Sequence, residues 1–308
     1  SSQLEPGKQC NRLTSTTIGS TTETYSTLGN GYDAHGNMLR MPHLPVLQWD
    51  FRDQLRLTQR QAVNIADADG AQHQGERTWY VYDSSGQRVR KITESAAGQI
   101  RKERIYLNGF EIFRSQGMNP ITRETLDITS EQQRIAFVET RTQGNEPGVP
   151  ARLIRYQYGN HLGSASLELD DQGQIISYEE YTPYGSTSYQ AVRSQTETPK
   201  RYRYTGKERD EESGLYYHGA RYYAPWLGRW TNCDLVEKTN RYLHVRNNPI
   251  RFVDADGKDE DEGWNRLWGG LRMIGGAGQL VLGGLALAAP EPTMVTKVVG
   301  TVAVVNGS

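Results

Sequence analysis

The chain has 308 residues, and 35 Lys+Arg stand against 36 Asp+Glu, which gives a formal net charge of −1. A charge near zero supplies no long-range field to hold a polyanion, which argues against general nucleic-acid binding. Two cysteines, Cys10 and Cys233, are too few for a disulfide framework or a four-cysteine zinc site. Only 36% of residues are hydrophobic and the mean hydropathy is −0.72, yet 18 residues are Tyr. Disordered chains rarely carry so many aromatic residues, so the composition indicates a large sheet with one wet face.

The first region of the chain, residues 1–24, is polar and rich in Ser and Thr. A secretory signal peptide begins with positive charge followed by an apolar stretch, and no such leader is visible here. We therefore expect no cleaved signal peptide, with export by another route left open. The abrupt start and end lead us to expect a fragment of a longer protein.

Residues 25–230 contain many short segments that alternate large apolar with polar side chains, separated by Gly, Asp and Asn. A period of two places one set of side chains on each face of a sheet, so these segments are predicted to be β-strands. The predicted strands are residues 78–82, 87–92, 104–107, 110–113, 152–158, 165–169, 175–181 and 201–204. Helical periodicity is nearly missing before residue 230. The sequence thus predicts a mainly β fold of antiparallel strands.

A weak internal repeat runs through this region. The sequence YDAHGN from Tyr32 matches YDSSGQ from Tyr82, and LDDQGQ from Leu169 fits with Leu in place of Tyr. Each copy is interpreted as strand, Asp-x-x-Gly turn and strand, because the Asp side chain can accept hydrogen bonds from turn amides and Gly supplies a positive φ. Repeats of this kind stack into one continuous sheet. The alternative is a set of unrelated hairpin turns.

Several longer motifs follow the repeats. In chain order they are NHLGS from Asn160, YTPYG from Tyr181, YTGKERD from Tyr204, GLYY from Gly214, GARYY from Gly219 and LGRW from Leu227. With the repeats, they resemble the Rhs/YD-repeat family and its Rhs-associated core. They are especially similar to the C component of bacterial Tc insecticidal toxin complexes, over roughly residues 25–257. In that family the repeats wind as a β-strip around a hollow shell that holds a variable C-terminal toxin segment.

The resemblance implies an organisation in four regions. These are the polar lead-in at 1–24, a YD-repeat β-shell at 25–200, an Rhs-associated core with a self-cleavage site at 201–257, and the start of the toxin cargo at 258–308. The fold would be a YD-repeat antiparallel β-strip, part of a hollow Rhs shell, with a short helical C-terminal segment.

The resemblance also implies partners and a destination. The partners are the chain's own C-terminal toxin cargo, the remaining shell and an immunity protein, with no nucleic acid for the shell. The remaining shell would be a B-component-like protein or an upstream part of the same chain. The chain would be secreted or delivered into target cells by a bacterial toxin complex.

Family members close the shell with a self-cleaving aspartyl protease made of one Arg and two Asp-Pro-x-Gly segments. The matching positions here are Arg221, Asp234 and Asp254. Peptide hydrolysis needs one carboxylate to take a proton from water and a second carboxyl to donate one, and two close carboxyls cannot both ionise. Arg221 would orient one carboxylate through a bidentate bond. A turn at the Asn247-Asn248-Pro249 segment can fold the second acid back towards the first.

The two acidic segments depart from the family pattern. Leu235 and Ala255 stand where the family has Pro, and the turn before Asn240 is shorter than usual. The family's cut falls one residue after the Gly of the second segment. In this chain that position is Lys258, so the cut would lie between Lys258 and Asp259, whereas the family typically has Leu before the cut. A Lys before the scissile bond, within an acidic stretch, is a different substrate from the Leu that the family typically has there. The alternative to self-cleavage is that both acids only cap turns.

We expect no metal and no cofactor. The segment at residues 67–70, Asp-Ala-Asp-Gly, lacks the further ligands of an EF-hand loop and is interpreted as a turn. The six histidines show no metal-binding spacing, so most are expected at the surface or in turns. Cys233 has no recognisable His partner and is interpreted as a small buried thiol. Neither a nucleophile elbow nor a phosphate-binding Gly-rich loop occurs.

The composition changes after Gly257. An acidic stretch at 259–262 precedes Trp and Leu residues at helical spacing, and residues 274–289 are almost wholly apolar. That run is shorter than the ~20 residues that span a bilayer. Packed helices that open the toxin segment are predicted, and a membrane-inserting tail is one alternative. The other is a structural or adhesive YD-repeat surface protein with an inert Asp pair. A free-standing protease acting in trans is disfavoured, because a site inside a shell has no substrate path.

Overall fold

The computed structural model describes residues 2–4, 11–25, 31–62, 75–130, 133–193, 199–234, 240–258 and 260–262. The predicted tail helices, the Asp-Ala-Asp-Gly segment at 67–70 and Cys10 lie outside these residues. In the part of the chain that is described, no helix has the length and apolar character needed to cross a membrane.

Within the described residues, antiparallel strands form four sheets. The N-terminal sheet has the order β1-β2-β3, with β1 at Ser2–Leu4, β2 at Leu13–Ile18 and β3 at Thr21–Thr24. The main sheet, which we call the strip, has 12 strands in sequence order. They are β4 Val46–Trp49, β5 Leu55–Gln59, β6 Arg77–Tyr82, β7 Arg88–Glu94, β8 Ile100–Tyr106, β9 Phe110–Ser115, β10 Ile121–Ser130, β11 Gln133–Gln143, β12 Arg152–Gly159, β13 Ala165–Leu169, β14 Ile175–Tyr181 and β15 Thr187–Val192.

The core segment, residues 199–258, follows the strip and carries most of the small elements. Its four-stranded sheet has β16 at Glu208–Arg209, β17 at Tyr216–Tyr217, β18 at Tyr222–Ala224 and β19 at Arg229–Trp230. A further pair consists of β20 at Phe252–Asp254 and β21 at Glu260–Glu262. Single 3-10 turns lie at Tyr204–Gly206 and Val245–Asn247. The prediction of a mainly β, antiparallel YD-repeat strip is confirmed.

One turn design joins several neighbouring strands of the strip. At Asp83, the backbone N–H donates to the carbonyl of Gln87 over 2.9 Å, and the carboxylate accepts from the amides of Ser85 and Gln87, both at 2.9 Å. Gly86 has a φ of 84°, a left-handed conformation that suits glycine. The turn that begins at Asp170 repeats this pattern. The turn that begins at Asp33, before the strip, has the same backbone closure, and its carboxylate accepts from the amide of Asn37. The predicted Asp-x-x-Gly turn is therefore confirmed in all three copies.

The same turn also occurs where the sequence shows no Tyr-Asp pair. At four further positions a side-chain oxygen accepts a hydrogen bond from the amide four residues on, and the backbone closes in the same way. These positions are Asp50, Ser95, Asn160 and Thr182. What the turn needs is thus a short side chain with an acceptor oxygen, and Asp is only one solution.

The two faces of the strip differ in an unexpected way. The face against the core segment buries polar and charged side chains, including Thr125, Arg155, Glu168 and Ser177. The opposite face of β10 to β15 carries large apolar side chains that are 37–55% exposed, namely Leu126, Ile128, Tyr156, Tyr158, Tyr178 and Tyr189. In this half of the sheet, the core segment thus meets the strip through polar side chains as well as through apolar contacts such as that of Phe137 with Tyr202.

Five buried charges join β7 to the core segment, and we call them the charge cluster. Arg88 contacts Glu208 at 2.6 Å and Asp210 at 3.0 Å. Lys91 contacts Asp210 at 3.1 Å and Glu212 at 3.0 Å. Burying a charge is costly unless it is paired, so the multiple contacts of each member are what make this burial tolerable.

Apolar packing surrounds the charge cluster, and Tyr dominates it. One buried group joins the strip residues Leu47, Leu55 and Tyr80 to Leu215 and Tyr222 of the core segment. A second group lies within the core segment and consists of Tyr204, Tyr216, Tyr223 and Trp230, with Tyr181 of β14 packed against it. Of the 18 tyrosines, eight are buried in these groups, so the interior accounts for part of the high Tyr content.

The predicted strand at residues 201–204 is wrong. Tyr202 forms only an isolated bridge with Glu208, and Tyr204 already begins a 3-10 turn. The backbone reverses there because Arg203 N–H donates to the carbonyl of Lys207, with Gly206 at a φ of 69°. Alternating Arg and Tyr side chains resemble a strand, but the turn chemistry decides the local conformation.

Candidate active site

Arg221 is presented by the hairpin of β17 and β18. The turn between the two strands closes with a hydrogen bond of 3.0 Å from His218 N–H to the carbonyl of Arg221. β18 also pairs with β19, which leads the chain towards Asp234. The Asp234 N–H donates to the carbonyl of Arg241 over 2.9 Å. Arg221 and Asp234 are therefore fixed by neighbouring parts of one small sheet.

Asp254 reaches the same place through the turn that the sequence predicted. The 3-10 turn Val245–Asn247 reverses the chain, with Asn247 at a φ of 57°. Phe252 N–H then donates to the carbonyl of Asn248 over 3.1 Å, and β20 runs back towards the hairpin. Asp254 is the last residue of β20. The prediction that the Asn247 region folds the second acid back is confirmed.

One guanidinium holds both acids. Arg221 Nη1 lies 2.8 Å from Asp234 Oδ2, and Arg221 Nη2 lies 3.1 Å from Asp254 Oδ2. The three residues predicted from the family resemblance therefore meet. The two carboxyls differ in exposure, since the Asp254 side chain is 1% exposed and the Asp234 side chain is 14% exposed.

The carboxyl of Asp254 is also bound by the turn that follows it. Asp254 Oδ1 accepts hydrogen bonds from the amides of Gly257 at 2.7 Å and Lys258 at 3.1 Å. Burial nevertheless raises the pKa of Asp254 to about 6, against the opposing influence of Arg221 and of the Gly257 amide. A carboxyl in this position can hold a proton at mildly acidic pH, where most carboxyls are ionised.

The turn after Asp254 lies directly on the Arg221 hairpin. Ala220 N–H donates to the carbonyl of Asp256 over 2.9 Å, and Arg221 Nε donates to the carbonyl of Gly257. Gly257 has a φ of 79°, and a Cβ there would lie 2.9 Å from the backbone nitrogen of Arg221. This close approach requires glycine.

The predicted cleavage position lies in the loop between β20 and β21. Asp254 pairs with Glu260, so the chain turns back within a few residues of the acid. The amide of Lys258 donates both to Asp254 Oδ1 and, over 3.0 Å, to Asp256 Oδ1. Lys258 is thus bound to one of the two candidate catalytic acids, while Asp259 lies outside the described residues.

Two buried histidines lie beside the site, whereas His35, His43 and His161 lie in turns as expected for most histidines. His218 is 1% exposed and His244 is 0% exposed. Both rings stand nearly perpendicular to the Trp230 ring, at centroid distances of 5.0 and 5.1 Å. Trp230 in turn lies under the Arg221 guanidinium, 4.2 Å from its ring centroid. The position of His218 three residues before Arg221 was the only available signal in the sequence.

The remaining candidates form no second site. Among the described residues, no group of three or more His, Cys, Asp or Glu side chains is arranged to hold a metal ion. Cys233 is a buried free thiol, as predicted, and burial raises its pKa. A raised pKa lowers the thiolate fraction and therefore the reactivity of the sulfur.

Known proteins share this fold and sequence. No family model matches the chain. The toxin subunit YenC1 of Yersinia entomophaga is 36% identical over 236 residues, which cover 73% of this chain and 23% of the relative. The toxin subunit YenC2 of the same organism is 42% identical over 190 residues, 58% of this chain and 19% of the relative. The crystal structure of TcdB2-TccC3 matches with a TM-score of 0.64 and 35% identity, over 73% of this chain and 11% of that chain.

These relatives are much longer than the chain, which spans about a fifth of the length of YenC1 or YenC2. The similarity nevertheless covers most of the chain and agrees with the antiparallel strip. The chain therefore belongs to the Rhs/YD-repeat family and, within it, to the C components of Tc toxins.

Proposed function

We propose that this chain is part of a toxin shell that encloses its own C-terminal segment and frees it by one cis cleavage between Lys258 and Asp259. The observation that carries the cleavage is the single buried guanidinium of Arg221 between the carboxyls of Asp234 and Asp254. The amide of Lys258 on Asp254 brings the bond to be cut to the same place.

The different environments of the two acids support a division of roles. Asp234, the more exposed acid, would take a proton from water as the water oxygen attacks the carbonyl carbon of Lys258. Asp254, whose pKa burial raises to about 6, would supply a proton to the departing nitrogen of Asp259. The products are the new carboxyl group of Lys258 and the new amino group of Asp259. Cleavage should slow as the pH rises above about 6 and Asp254 loses its proton.

The shell role rests on family membership and on the continuous strip. The similarity to YenC1, YenC2 and the TcdB2-TccC3 structure supports a partner of the B-component type, or an upstream part of the same protein, that completes the enclosure. Delivery into target cells by a toxin complex is part of the same proposal, as is an immunity protein that protects the producer.

The test compares the whole chain with three single variants. Expression of the 34.8 kDa chain should yield residues 1–258 and 259–308, about 29 and 6 kDa in proportion to their lengths. Asp234→Asn and Asp254→Asn should stay intact, since each removes one member of the dyad. Asp256→Asn is the matched control, because Asp256 lies in the same turn and bonds the Lys258 amide but does not contact Arg221 in the described structure. This control should still be cut.

Mass spectrometry of the products reports the new ends. A carboxyl terminus at Lys258 and an amino terminus at Asp259 are expected. An intact wild-type chain would leave the structural or adhesive alternative as the better account. Cutting by Asp254→Asn would show that another group performs the hydrolysis.

A further inference from the structure

His218 contacts the backbone of the residue whose carboxyl the proposed cleavage needs. Its Nδ1 donates to the main-chain carbonyl of Asp254 over 2.7 Å. The other ring nitrogen, Nε2, is buried and has no hydrogen-bond partner among the described residues. Because a carbonyl oxygen can only accept, this contact places the proton on Nδ1 and leaves Nε2 as a bare lone pair.

The imidazole of His218 is neutral under ordinary conditions. Burial lowers its pKa well below 6.5, the nearby cations Lys207 and Arg221 and the neighbouring His244 act in the same direction, and only the bond to Asp254 opposes them. The Nδ1 proton faces a backbone carbonyl, which accepts a hydrogen bond but is not a base, and the buried Nε2 has no proton donor beside it among the described residues. His218 is therefore unsuited to proton transfer, and its contribution must be geometric.

Four contacts close a ring around Asp254. The carbonyl of Asp254 is held by His218, whose ring packs edge-on against Trp230 at 5.0 Å. The face of Trp230 supports the guanidinium of Arg221 at 4.2 Å. Arg221 returns to the Asp254 carboxyl at 3.1 Å. Backbone and side chain of one acid are thus fixed by parts of the same hairpin.

We propose that His218 is a positioning residue, which holds the main chain of Asp254 so that its carboxyl meets Arg221 and the Lys258 amide. The proposal rests on the function proposed above for Arg221, Asp234 and Asp254. β20 has only three residues, so its own pairing gives Asp254 little restraint. A displacement of about 1 Å at a reacting group can cost about a hundredfold in rate, so a backbone anchor of this kind has a measurable effect.

The sharpest test uses two variants that have nearly the same shape. His218→Asn places an N–H group at the same number of bonds from Cβ as Nδ1, and His218→Leu places a methyl group there. Both lose the ring that packs on Trp230, so their difference isolates the donor to Asp254. We expect cis cleavage of the full chain to be at least tenfold slower in His218→Leu than in His218→Asn, measured from gels over time after folding is started.

If His218 only stabilised the fold, the two variants would rank in the opposite order. His218→Asn buries an extra polar oxygen without a partner, so a purely structural role would make His218→Asn less stable than His218→Leu. Urea unfolding of both variants provides that comparison. His244→Leu is the control for the cluster, since His244 packs on the same Trp230 ring and its two ring nitrogens have no hydrogen-bond partner in the described structure. It should be cut within about threefold of the wild-type rate.

A second measurement does not depend on cleavage. In an Asp234→Asn background, which is expected to stay uncut, hydrogen exchange at the Gly257 amide reports its bond to Asp254 Oδ1. In that background, His218→Leu should raise the exchange rate of the Gly257 amide about tenfold over His218→Asn. Equal cleavage and equal exchange in the two variants would overturn the positioning role of His218. A wild-type chain that is not cut would overturn the proposed function, and the exchange data would then decide the role of His218 by themselves.

Discussion

The charge cluster and the Arg221 site are both buried groups of acids and cations, yet they change their carboxyls in opposite directions. In the charge cluster, the pKa of Glu212 falls to about 2 and that of Glu208 falls as well. At the Arg221 site, the pKa of Asp254 rises to about 6. Burial pushes all three pKa values up, so burial cannot explain the difference.

The number of cations for each carboxyl accounts for the contrast. Lys91 lies within 3.9 Å of Glu208, Asp210 and Glu212. Further cations lower the two pKa values: Arg88, Arg201 and Arg104 act on Glu208 in addition to Lys91, and Lys102 acts on Glu212 in addition to Lys91. At the Arg221 site a single guanidinium serves two carboxyls. A cluster rich in cations keeps its acids ionised and fastens two parts of the molecule together. A site poor in cations leaves one acid able to hold a proton, which is what acid–base chemistry requires.

The largest expected effect comes from removing a cation from the charge cluster. Arg88→Met keeps much of the side-chain length but leaves Glu208 and Asp210 buried with fewer partners. We expect the free energy of unfolding to fall by about 3–5 kcal/mol in urea titrations. Arg90→Met on the same strand is the matched control, because the Arg90 side chain is 45% exposed in its pair with Glu103. That change should cost about 1 kcal/mol or less, and equal losses would contradict the distinction.

The two acids should give stability profiles of opposite sign. The pKa of Glu212 lies below its ordinary value of 4.5, so its contribution is present above pH 4.5 and is lost as the pH falls towards 2. The pKa of Asp254 lies above its ordinary value of 3.8, so its contribution is present below pH 3.8 and is lost as the pH rises through 6. Each shift of roughly two units corresponds to about 3 kcal/mol.

Comparison with amide variants isolates each acid. The difference in unfolding free energy between wild type and Glu212→Gln should grow by about 3 kcal/mol from pH 2 to pH 5. The difference between wild type and Asp254→Asn should shrink by a similar amount from pH 4 to pH 7. Contributions from other groups cancel within each pair. If the two differences in unfolding free energy changed with pH in the same direction, the proposed contrast between the charge cluster and the Arg221 site would be wrong.

The smallest expected effect concerns the close backbone packing at the Arg221 site, which has few charges to hold it together. Gly257→Ala would place a Cβ 2.9 Å from the Arg221 nitrogen, whereas Gly98→Ala meets nothing within 4 Å. The two glycines have φ values of 79° and 82°, so both variants carry the same backbone strain of about 1–2 kcal/mol. We expect Gly257→Ala to lose about 1 kcal/mol more in unfolding experiments and also to slow cleavage. Equal losses would show that the close approach is not restrictive.

Periodicity was enough for the fold class, because alternation over several strands has no helical counterpart. It failed at residues 201–204, where side chains alternate but the backbone turns. Sequence alone also missed the turns at Ser95 and Thr182, since a hydroxyl replaces the expected carboxylate. Which face of the strip is covered could not be read from a period of two, because alternation marks two faces without saying which one packs.

The site was partly predictable for a different reason. The family resemblance supplied Arg221, Asp234 and Asp254 as a set, and the turn near Asn247 made their meeting plausible. Their exposures and the raised pKa of Asp254 arise only from the assembled structure. The importance of His218 was likewise hidden, since it depends on a backbone carbonyl 36 residues away.

Three residue pairs join β21 to β20 across the Lys258–Asp259 bond, from Asp254 with Glu260 to Phe252 with Glu262. Hydrolysis would break the covalent bond between the two strands but would leave the backbone hydrogen bonds of these pairs in place. A strand pair this short is only weakly stable on its own, so a small force on the downstream chain would separate β21 from β20. Cleavage and release of the downstream segment would then be separate steps. The rate of release would depend on the force or partner that removes residues 260–308.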